Sequence, residues 1–302
     1  GKRTSPVRTG DASLPIAYLA MVMISAGAIL LILLKDKKEE KETVKVTDLD
    51  ESTITAIKYQ VAAGEMSFEK DGDTWYYSED KDFPLKQSEP EKIAKAAAQI
   101  TADRKLEDGD SLDAYGLDDP NYSIEITEED GTVTTVSFGD STGTDYYVTV
   151  GDTGVVYTVA SSVLDDFKTE LSDLAQLDEY PSIGSGNLKK EVITENGTTT
   201  TYDSENEDQE EEIAAVAGGL GAVSLTTVAD YSVEDADLAG YGLDEASRIT
   251  VEAAYTKDDD EKTMKMYIGS EDGSGNRYVM LDGSKIVYQI SDEVCKNILN
   301  QE

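Results

Sequence analysis

The chain carries two nearly identical short sequences, YGLDDP at residues 115–120 and YGLDEA at residues 241–246. Each one follows a segment with helical spacing of apolar residues and precedes a segment in which apolar and polar residues alternate. Glycine in such a turn permits a positive φ or a close backbone approach, leucine fills a core, and tyrosine packs with its hydroxyl toward water. We therefore interpret the turn as structural; a ligand-binding turn retained in both places is the alternative.

A longer pattern of matches runs through the same two parts of the chain. Ile93 and Ile213 are 120 residues apart, whereas Tyr157 and Tyr288, later in the pattern, are 131 residues apart. The order of the matches is kept and their separation grows in small steps, as loop insertions would cause. We infer an internal duplication. The residues of the repeated motif are Tyr115, Gly116, Leu117 and Gly139 in the first copy and Tyr241, Gly242, Leu243 and Gly269 in the second.

Each copy is predicted to contain hairpins and two helices. EMSFEKDGDTWYYSED at 65–80 alternates apolar and polar residues around a DGD turn, which is typical of a β-hairpin. SEPEKIAKAAAQITAD at 88–103 and SSVLDDFKTELSDL at 161–174 have capping serines and apolar residues at helical spacing. Hairpins flanked by helices predict an α+β fold, with antiparallel sheet and two helices in each copy. We place repeat 1 at residues 49–180 and repeat 2 at residues 185–302.

The charge balance limits the classes of partner. The 302 residues include 63 acidic and 26 basic side chains and no histidine, which gives a net charge of -37. Such a charge repels phosphates at long range, so nucleic acid is excluded as a partner. We interpret the acidic surface as a solubility device, with capture of cations or of a basic protein as the alternative. The single cysteine, Cys295, lies on an apolar helical stripe, which predicts a buried side chain.

The segment 14–34 contains no charged residue. A helix of this length would span roughly 31 Å, close to the thickness of the hydrocarbon core of a membrane. We therefore predict one transmembrane helix in contact with the lipid bilayer, after an N-terminal tail at 1–13 and before a charged linker at 35–48. The lysines after the span favour a cytoplasmic C-terminal part, but large domains are translocated largely regardless of charge. We expect the globular part outside the cell, as in a signal anchor.

Residues 5–40 resemble the sorting tail of Gram-positive wall-anchored proteins. Such a tail has a Thr-Gly-containing motif, an apolar span and a short cationic end, and Thr9-Gly10 matches the cleaved pair. The leading Leu-Pro of the commonest motif is absent, and the segment lies at the opposite end of the chain from such a tail. The resemblance implies a Gram-positive envelope, and processing at Thr9-Gly10 is left open.

Four further sequences carry a second resemblance: DGDTWYY around Trp75, YGLDDP at 115–120, the glycine after a strand in SFGDS, and VVYTV near 155–159. They resemble the DUF4340 domain, a family of uncharacterised bacterial envelope domains. The resemblance covers most of residues 50–180 and, more loosely, 185–302. It implies a membrane-tethered extracytoplasmic domain, which in some bacteria accompanies ABC-transporter or gliding-associated components. It implies no catalytic residues.

The sequence contains no recognisable catalytic arrangement. Without histidine, a Ser-His-Asp triad and a Cys-His pair are excluded, and no phosphate-binding glycine loop occurs. We predict no cofactor, no metal and no enzymatic activity. The predicted function is a non-enzymatic binding or scaffold module with an envelope protein as partner, including an accessory role to an ABC-transporter-type complex. The alternative is a carboxylate-dependent hydrolase of envelope glycans, which needs two acids roughly 5–10 Å apart in a cleft. For Trp75 we favour core packing over stacking on a sugar.

Overall fold

The computed structural model describes residues 44–61, 64–107 and 109–301. Strands account for 41% of these residues and helices for 22%, in three antiparallel sheets. The α+β prediction was therefore wrong: the described chain is mostly antiparallel β-sheet, because long hairpins take most of the sequence and the helices are few and short. The predicted transmembrane helix at 14–34 lies outside the described residues. Within the described ranges, no helix is long and apolar enough to cross a membrane.

The first part of the described chain forms a small two-stranded sheet and an eight-stranded sheet, sheet 1. The small sheet pairs β1 (Val44–Lys45) with β5 (Thr101–Ala102). Sheet 1 contains β2 (Ile54–Val61), β3 (Gly64–Asp71), β4 (Thr74–Tyr77), β6 (Arg104–Lys105), β7 (Tyr122–Glu128), β8 (Val133–Ser141), β9 (Asp145–Val150) and β10 (Tyr157–Ala160). The helices are α1 (Ser88–Ala98) and α2 (Leu171–Leu174), with 3-10 helices at Glu51–Thr53, Leu112–Tyr115 and Ser161–Phe167.

The second part forms a seven-stranded sheet, sheet 2. Its strands are β11 (Leu188–Glu195), β12 (Thr198–Asp203), β13 (Val228–Asp230), β14 (Ile249–Lys257), β15 (Asp260–Glu271), β16 (Asn276–Leu281) and β17 (Val287–Ser291). Its helices are α3 (Glu210–Gly221) and α4 (Asp292–Ile298), with 3-10 helices at Glu207–Gln209 and Leu238–Tyr241.

The two sheets have the same strand order. The order β12-β11-β14-β15-β16-β17-β13 in sheet 2 parallels β3-β2-β7-β8-β9-β10-β6 in sheet 1, which adds β4 at its edge. The pairing register is interrupted after Ile54 in β2 and after Leu188 in β11, the same place in both sheets. Counted from these bulges, Ile57 in β2 corresponds to Glu191 in β11.

Helices cover one face of each sheet. In α1, Glu89 and Glu91 lie in the first turn, where carboxylates favour the helix dipole, and Ile93 and Ala97 lie on the buried face. Cys295 of α4 is buried in the core of sheet 2, as its apolar neighbours predict. The buried cores are therefore formed between one sheet face and its helices, and each fully buried large apolar side chain stabilises the fold by about 1.5–3 kcal/mol.

The segments that follow β10 in sheet 1 and β17 in sheet 2 differ. In sheet 2, the Ser291 hydroxyl accepts a hydrogen bond from the Val294 N–H at 3.2 Å and caps α4. In sheet 1, Ala160 holds the same place and has no side-chain acceptor, and the chain continues as the 3-10 helix Ser161–Phe167. The prediction of one amphipathic helix over 161–174 was wrong, because the segment divides into this 3-10 helix and the four-residue α2.

A glutamine side chain closes one edge of each sheet. The Gln87 amide accepts from the Trp75 N–H at 2.8 Å and donates to the Trp75 carbonyl at 3.0 Å, on edge strand β4. The Gln209 amide accepts from the Asp203 N–H and donates to the Thr201 carbonyl, both at 3.1 Å, on edge strand β12. Each glutamine immediately precedes a helix, so the helix start supplies the hydrogen bonds that another strand would otherwise supply.

Candidate functional site

The first repeated turn is fixed by two glycines. Gly116 ends the 3-10 helix at Leu112–Tyr115 with φ 66°, in the left-handed region that favours glycine. Gly139, in β8, lies against the backbone of this turn, and a Cβ at Gly139 would lie well inside van der Waals distance of the Tyr115 carbonyl oxygen. Leu117 is buried. The turn and the strand therefore approach each other too closely for a side chain at residue 139.

The second turn has the same geometry. Gly242 also has φ 66°, and a Cβ at Gly269 would collide with the Tyr241 carbonyl oxygen in the same way. Leu243 is fully buried in a small apolar cluster with Val233, Tyr267, Met280 and Val287. The structure thus brings the four motif residues of each copy together, Tyr115, Gly116, Leu117 and Gly139 in sheet 1 and Tyr241, Gly242, Leu243 and Gly269 in sheet 2.

The tyrosines of the two turns pack alike but have different hydrogen-bond partners. The Tyr115 ring lies 4.7 Å from that of Tyr147, and the Tyr241 ring lies 5.0 Å from that of Tyr278. The Tyr115 hydroxyl accepts from a backbone N–H, that of Asp110. The Tyr241 hydroxyl instead donates to the Asp230 carboxylate at 3.0 Å, and burial together with this carboxylate raises the pKa of Tyr241.

The glycine carbonyls beside the turns are also satisfied within the chain. Asn121 donates to the Gly139 carbonyl at 3.0 Å. Arg277 donates to the Gly269 carbonyl through Nε at 3.0 Å and Nη2 at 2.7 Å. Because the protein's own groups fill these positions, the geometry of both turns is that of a packing device.

Trp75 lies in the core of sheet 1 and is 3% exposed. Core packing is therefore confirmed for this residue.

The sheets are joined by residues 175–187, which we call the linker. Ala175 bridges to Leu85, and the Gln176 N–H donates to the Pro84 carbonyl at 2.7 Å, both next to sheet 1. The Asp178 carboxylate then accepts from the hydroxyls of Ser284 at 2.6 Å and Tyr288 at 2.9 Å, both in the sheet 2 part. The linker is thus bonded to both sheets.

Three further contacts join the sheet 1 and sheet 2 parts directly. The Ser232 hydroxyl donates a hydrogen bond to the Asp80 carboxylate. The Phe83 and Tyr231 rings are 5.1 Å apart. Lys285 and Asp82 form an ion pair at 2.9 Å between exposed side chains, which contributes little stability by itself.

A pocket of about 470 Å³ opens beside the linker, and we call it the linker pocket. Glu252 and Lys265 form an ion pair at 2.8 Å in its wall. Glu179 and Asp282 add carboxylates to the rim, so the lining is acidic overall. The lining residues are Glu179, Pro181, Glu252, Tyr255, Thr263, Met264, Lys265, Leu281 and Asp282.

The most unusual ionisable group is Glu191, which the sequence reasoning missed. Its side chain is fully buried in β11, and neither carboxylate oxygen has a hydrogen-bond partner. Burial raises the pKa of Glu191 to about 8, so the carboxyl is mostly protonated at neutral pH. The local sequence pattern does not show this burial, because a bulge after Leu188 sets the face on which Glu191 lies.

The described residues contain no group of three or more acidic or cysteine side chains placed to hold a metal ion. The Glu191 carboxyl is fully buried. Since it has no surface in contact with solvent, it does not meet a substrate in this conformation.

A family described as "Domain of unknown function (DUF4340)" matches the chain over residues 75–222 and again over 208–301. No curated protein and no solved structure matches the chain. The two family matches together cover well over half of the chain, including both repeated turns, the whole of sheet 2 and the strands of sheet 1 that follow β4. The chain therefore belongs to the DUF4340 family.

Proposed function

We propose that the protein is a non-enzymatic module of the cell envelope that binds or positions another protein. The observation that carries this proposal is the linker, which hydrogen-bonds to both sheet parts and joins two similarly ordered sheets into one platform. A platform of fixed geometry presents a large surface to a partner without the entropic cost of ordering a flexible hinge. An accessory role in an ABC-transporter-type complex is one form of this function.

The location belongs to the same proposal. The uncharged segment 14–34 would hold the protein at the lipid bilayer, with the sheets on the outer side of a Gram-positive membrane. With a net charge of -37, the surface favours a partner that presents basic residues, since complementary charge speeds association.

A glycan hydrolase would need a different arrangement of carboxyls. Retaining and inverting enzymes place two acids on either side of a sugar in an open cleft, one of them with a raised pKa. Glu191 has the raised pKa but is sealed in a core, with apolar Ala253 and half-buried Tyr202 as its cross-strand neighbours. The geometry therefore favours the binding module.

Photocrosslinking in intact cells tests the proposal. A photoreactive side chain placed at exposed Thr199 in sheet 2, and separately at exposed Asp152 in sheet 1, should give a discrete adduct with one envelope protein from at least one position. The matched control is the buried position Val251, which should give none. Absence of a reproducible protein adduct from a panel of exposed positions on both sheets would contradict the proposal. Release of reducing ends from purified envelope glycans would instead establish the hydrolase.

Protease treatment of whole cells tests the location. External placement predicts that residues 44–301 are digested while a cytoplasmic marker stays intact. Survival of these residues under conditions that remove known surface proteins would place them inside.

A further inference from the structure

The buried carboxyl of Glu191 lies where sheet 1 has an isoleucine. Its cross-strand neighbours are Tyr202 in β12 and Ala253 in β14, and both of its oxygens lack a hydrogen-bond partner. A neutral carboxyl is tolerated in such a place at moderate cost, but a carboxylate there requires water or a cation. The site is therefore stable in one protonation state only.

No positive charge compensates this carboxyl in the described core. The linker contributes Tyr180 and β14 contributes Tyr255, while α3 presents only apolar side chains such as Val216 and Leu220. The ionisable side chains in the surrounding core are four tyrosines and one cysteine, none of which can carry a positive charge: Tyr180, Tyr202, Tyr255, Tyr288 and Cys295. An ionised Glu191 must consequently obtain its stabilisation from solvent.

Tyr180 is half-buried and lies near Glu191. Its hydroxyl is buried without a hydrogen-bond partner, and its pKa is raised by burial and by the neighbouring Glu191 and Tyr255. The residues on either side of it, Glu179 and Pro181, line the linker pocket, as does Tyr255. Water in the pocket therefore reaches the chain on both sides of Tyr180.

The linker is also the covering element that yields most easily. Within the described chain, no backbone N–H of residues 179–183 donates to another backbone group. By contrast, β11 is hydrogen-bonded along its length to both β12 and β14. Local opening occurs where few hydrogen bonds must be broken, which favours the linker over the sheet.

We infer that Tyr180 closes the route from the linker pocket to the Glu191 carboxyl, and that loss of the proton from this carboxyl releases residues 179–187 from sheet 2. We call residues 179–187 the latch. When Glu191 is protonated, the latch stays packed on sheet 2; when Glu191 is ionised, Tyr180 leaves its site and water takes its place.

Hydrogen exchange on the full chain tests the latch. The Thr256 N–H in β14 donates to the Asn187 carbonyl at 3.0 Å, so this amide joins the end of the segment to sheet 2 and reports its release. After correction for intrinsic exchange, its opening equilibrium should rise about tenfold per pH unit between the unfolded and folded pKa values of Glu191, hence roughly a hundredfold from pH 5.5 to 7.5. Glu191→Gln and Glu191→Ile should abolish this rise. Glu252→Gln, which removes an acid of the pocket wall, should leave it unchanged.

Three outcomes overturn the inference. One is a flat wild-type profile, and another is a rise that persists in both Glu191 variants. The third is an equal rise at Met266 in the centre of β15, because opening would then involve the whole of sheet 2.

A carboxyl titration followed by NMR separates the role of Tyr180 from that of the sheet. In Tyr180→Ala the side chain that closes the route is absent, so the titration midpoint of Glu191 should fall by about two pH units or more toward its ordinary value. An unchanged midpoint in the folded variant would show that Tyr180 does not seal the carboxyl.

Discussion

Sheet 1 and sheet 2 place corresponding strands in the same order but fill one central position with opposite chemistry. Ile57 in β2 is an ordinary core residue, whereas Glu191 in β11 is a fully buried carboxyl. The backbone pairing and the preceding bulge are the same in both sheets. The pairing register of the sheet is therefore set by the strands and turns. It does not depend on the side chain at this position, which can be apolar or acidic.

The largest loss of stability is expected when a glutamate is placed at the corresponding position of sheet 1. Ile57→Glu removes a buried apolar side chain and adds an uncompensated carboxyl, so we expect a loss of about 5 kcal/mol in unfolding free energy. Urea unfolding measures this. Gln60→Glu, an exposed change in the same strand, is the matched control and should cost less than about 0.5 kcal/mol. A loss under about 2 kcal/mol would mean that both sheets accommodate a carboxyl equally.

The reverse exchange should stabilise sheet 2. In the native state Glu191 keeps its proton up to a pKa of about 8, whereas the unfolded chain loses it near the ordinary glutamate pKa of 4.5. The wild-type protein therefore loses stability as pH rises from about 4.5 to about 8. Glu191→Ile removes this loss, so its advantage should grow with pH and reach roughly 3 kcal/mol at pH 7. Parallel stability curves for wild type and variant across this window would contradict the comparison.

The repeated turns should respond alike in the two sheets. Gly139→Ala and Gly269→Ala each force a Cβ against a backbone carbonyl oxygen, and each should lower the unfolding free energy by about 2 kcal/mol or more. Gly218→Ala is the control: it lies in α3 with open space around it and should gain up to about 1 kcal/mol from helix propensity. A turn that tolerates its alanine would show that the two turns are not held in the same way.

The smallest change in stability is expected at the helix starts that follow β17 and β10. Ser291→Ala removes the cap of α4 and should cost about 1 kcal/mol in thermal unfolding. Ala160→Ser offers the equivalent acceptor to the 3-10 helix in sheet 1 and should gain about 0.5 kcal/mol or more. If both substitutions are neutral, the different helix types have another cause.

Short-range signals in the sequence were sufficient to predict the hairpins and the burial of Trp75 and Cys295. The DGD turn and the alternation around it correspond to β3 and β4. These features depend on neighbouring residues only. The fold class failed because long hairpins take most of the chain and the helices are short; the segment 161–174, for example, divides into a 3-10 helix and a four-residue α-helix.

Glu191 was missed for a different reason. In regular alternation, Leu188 pointing into the core would turn Glu191 toward solvent, which is where a glutamate is expected. The bulge after Leu188 shifts the register by one residue and turns Glu191 inward. A bulge is set by pairing with a distant strand, so a local pattern does not contain it.

The linker, which is hydrogen-bonded to both sheet parts, determines how the protein tumbles in solution. Gln176 is hydrogen-bonded beside sheet 1, and Asp178, only two residues later, is hydrogen-bonded to the sheet 2 part. The segment between these two residues is therefore too short to act as a flexible hinge. Both sheets should then reorient together, and NMR relaxation of their amides should yield a single rotational correlation time. A force applied to one sheet is transmitted to the other through these few hydrogen bonds.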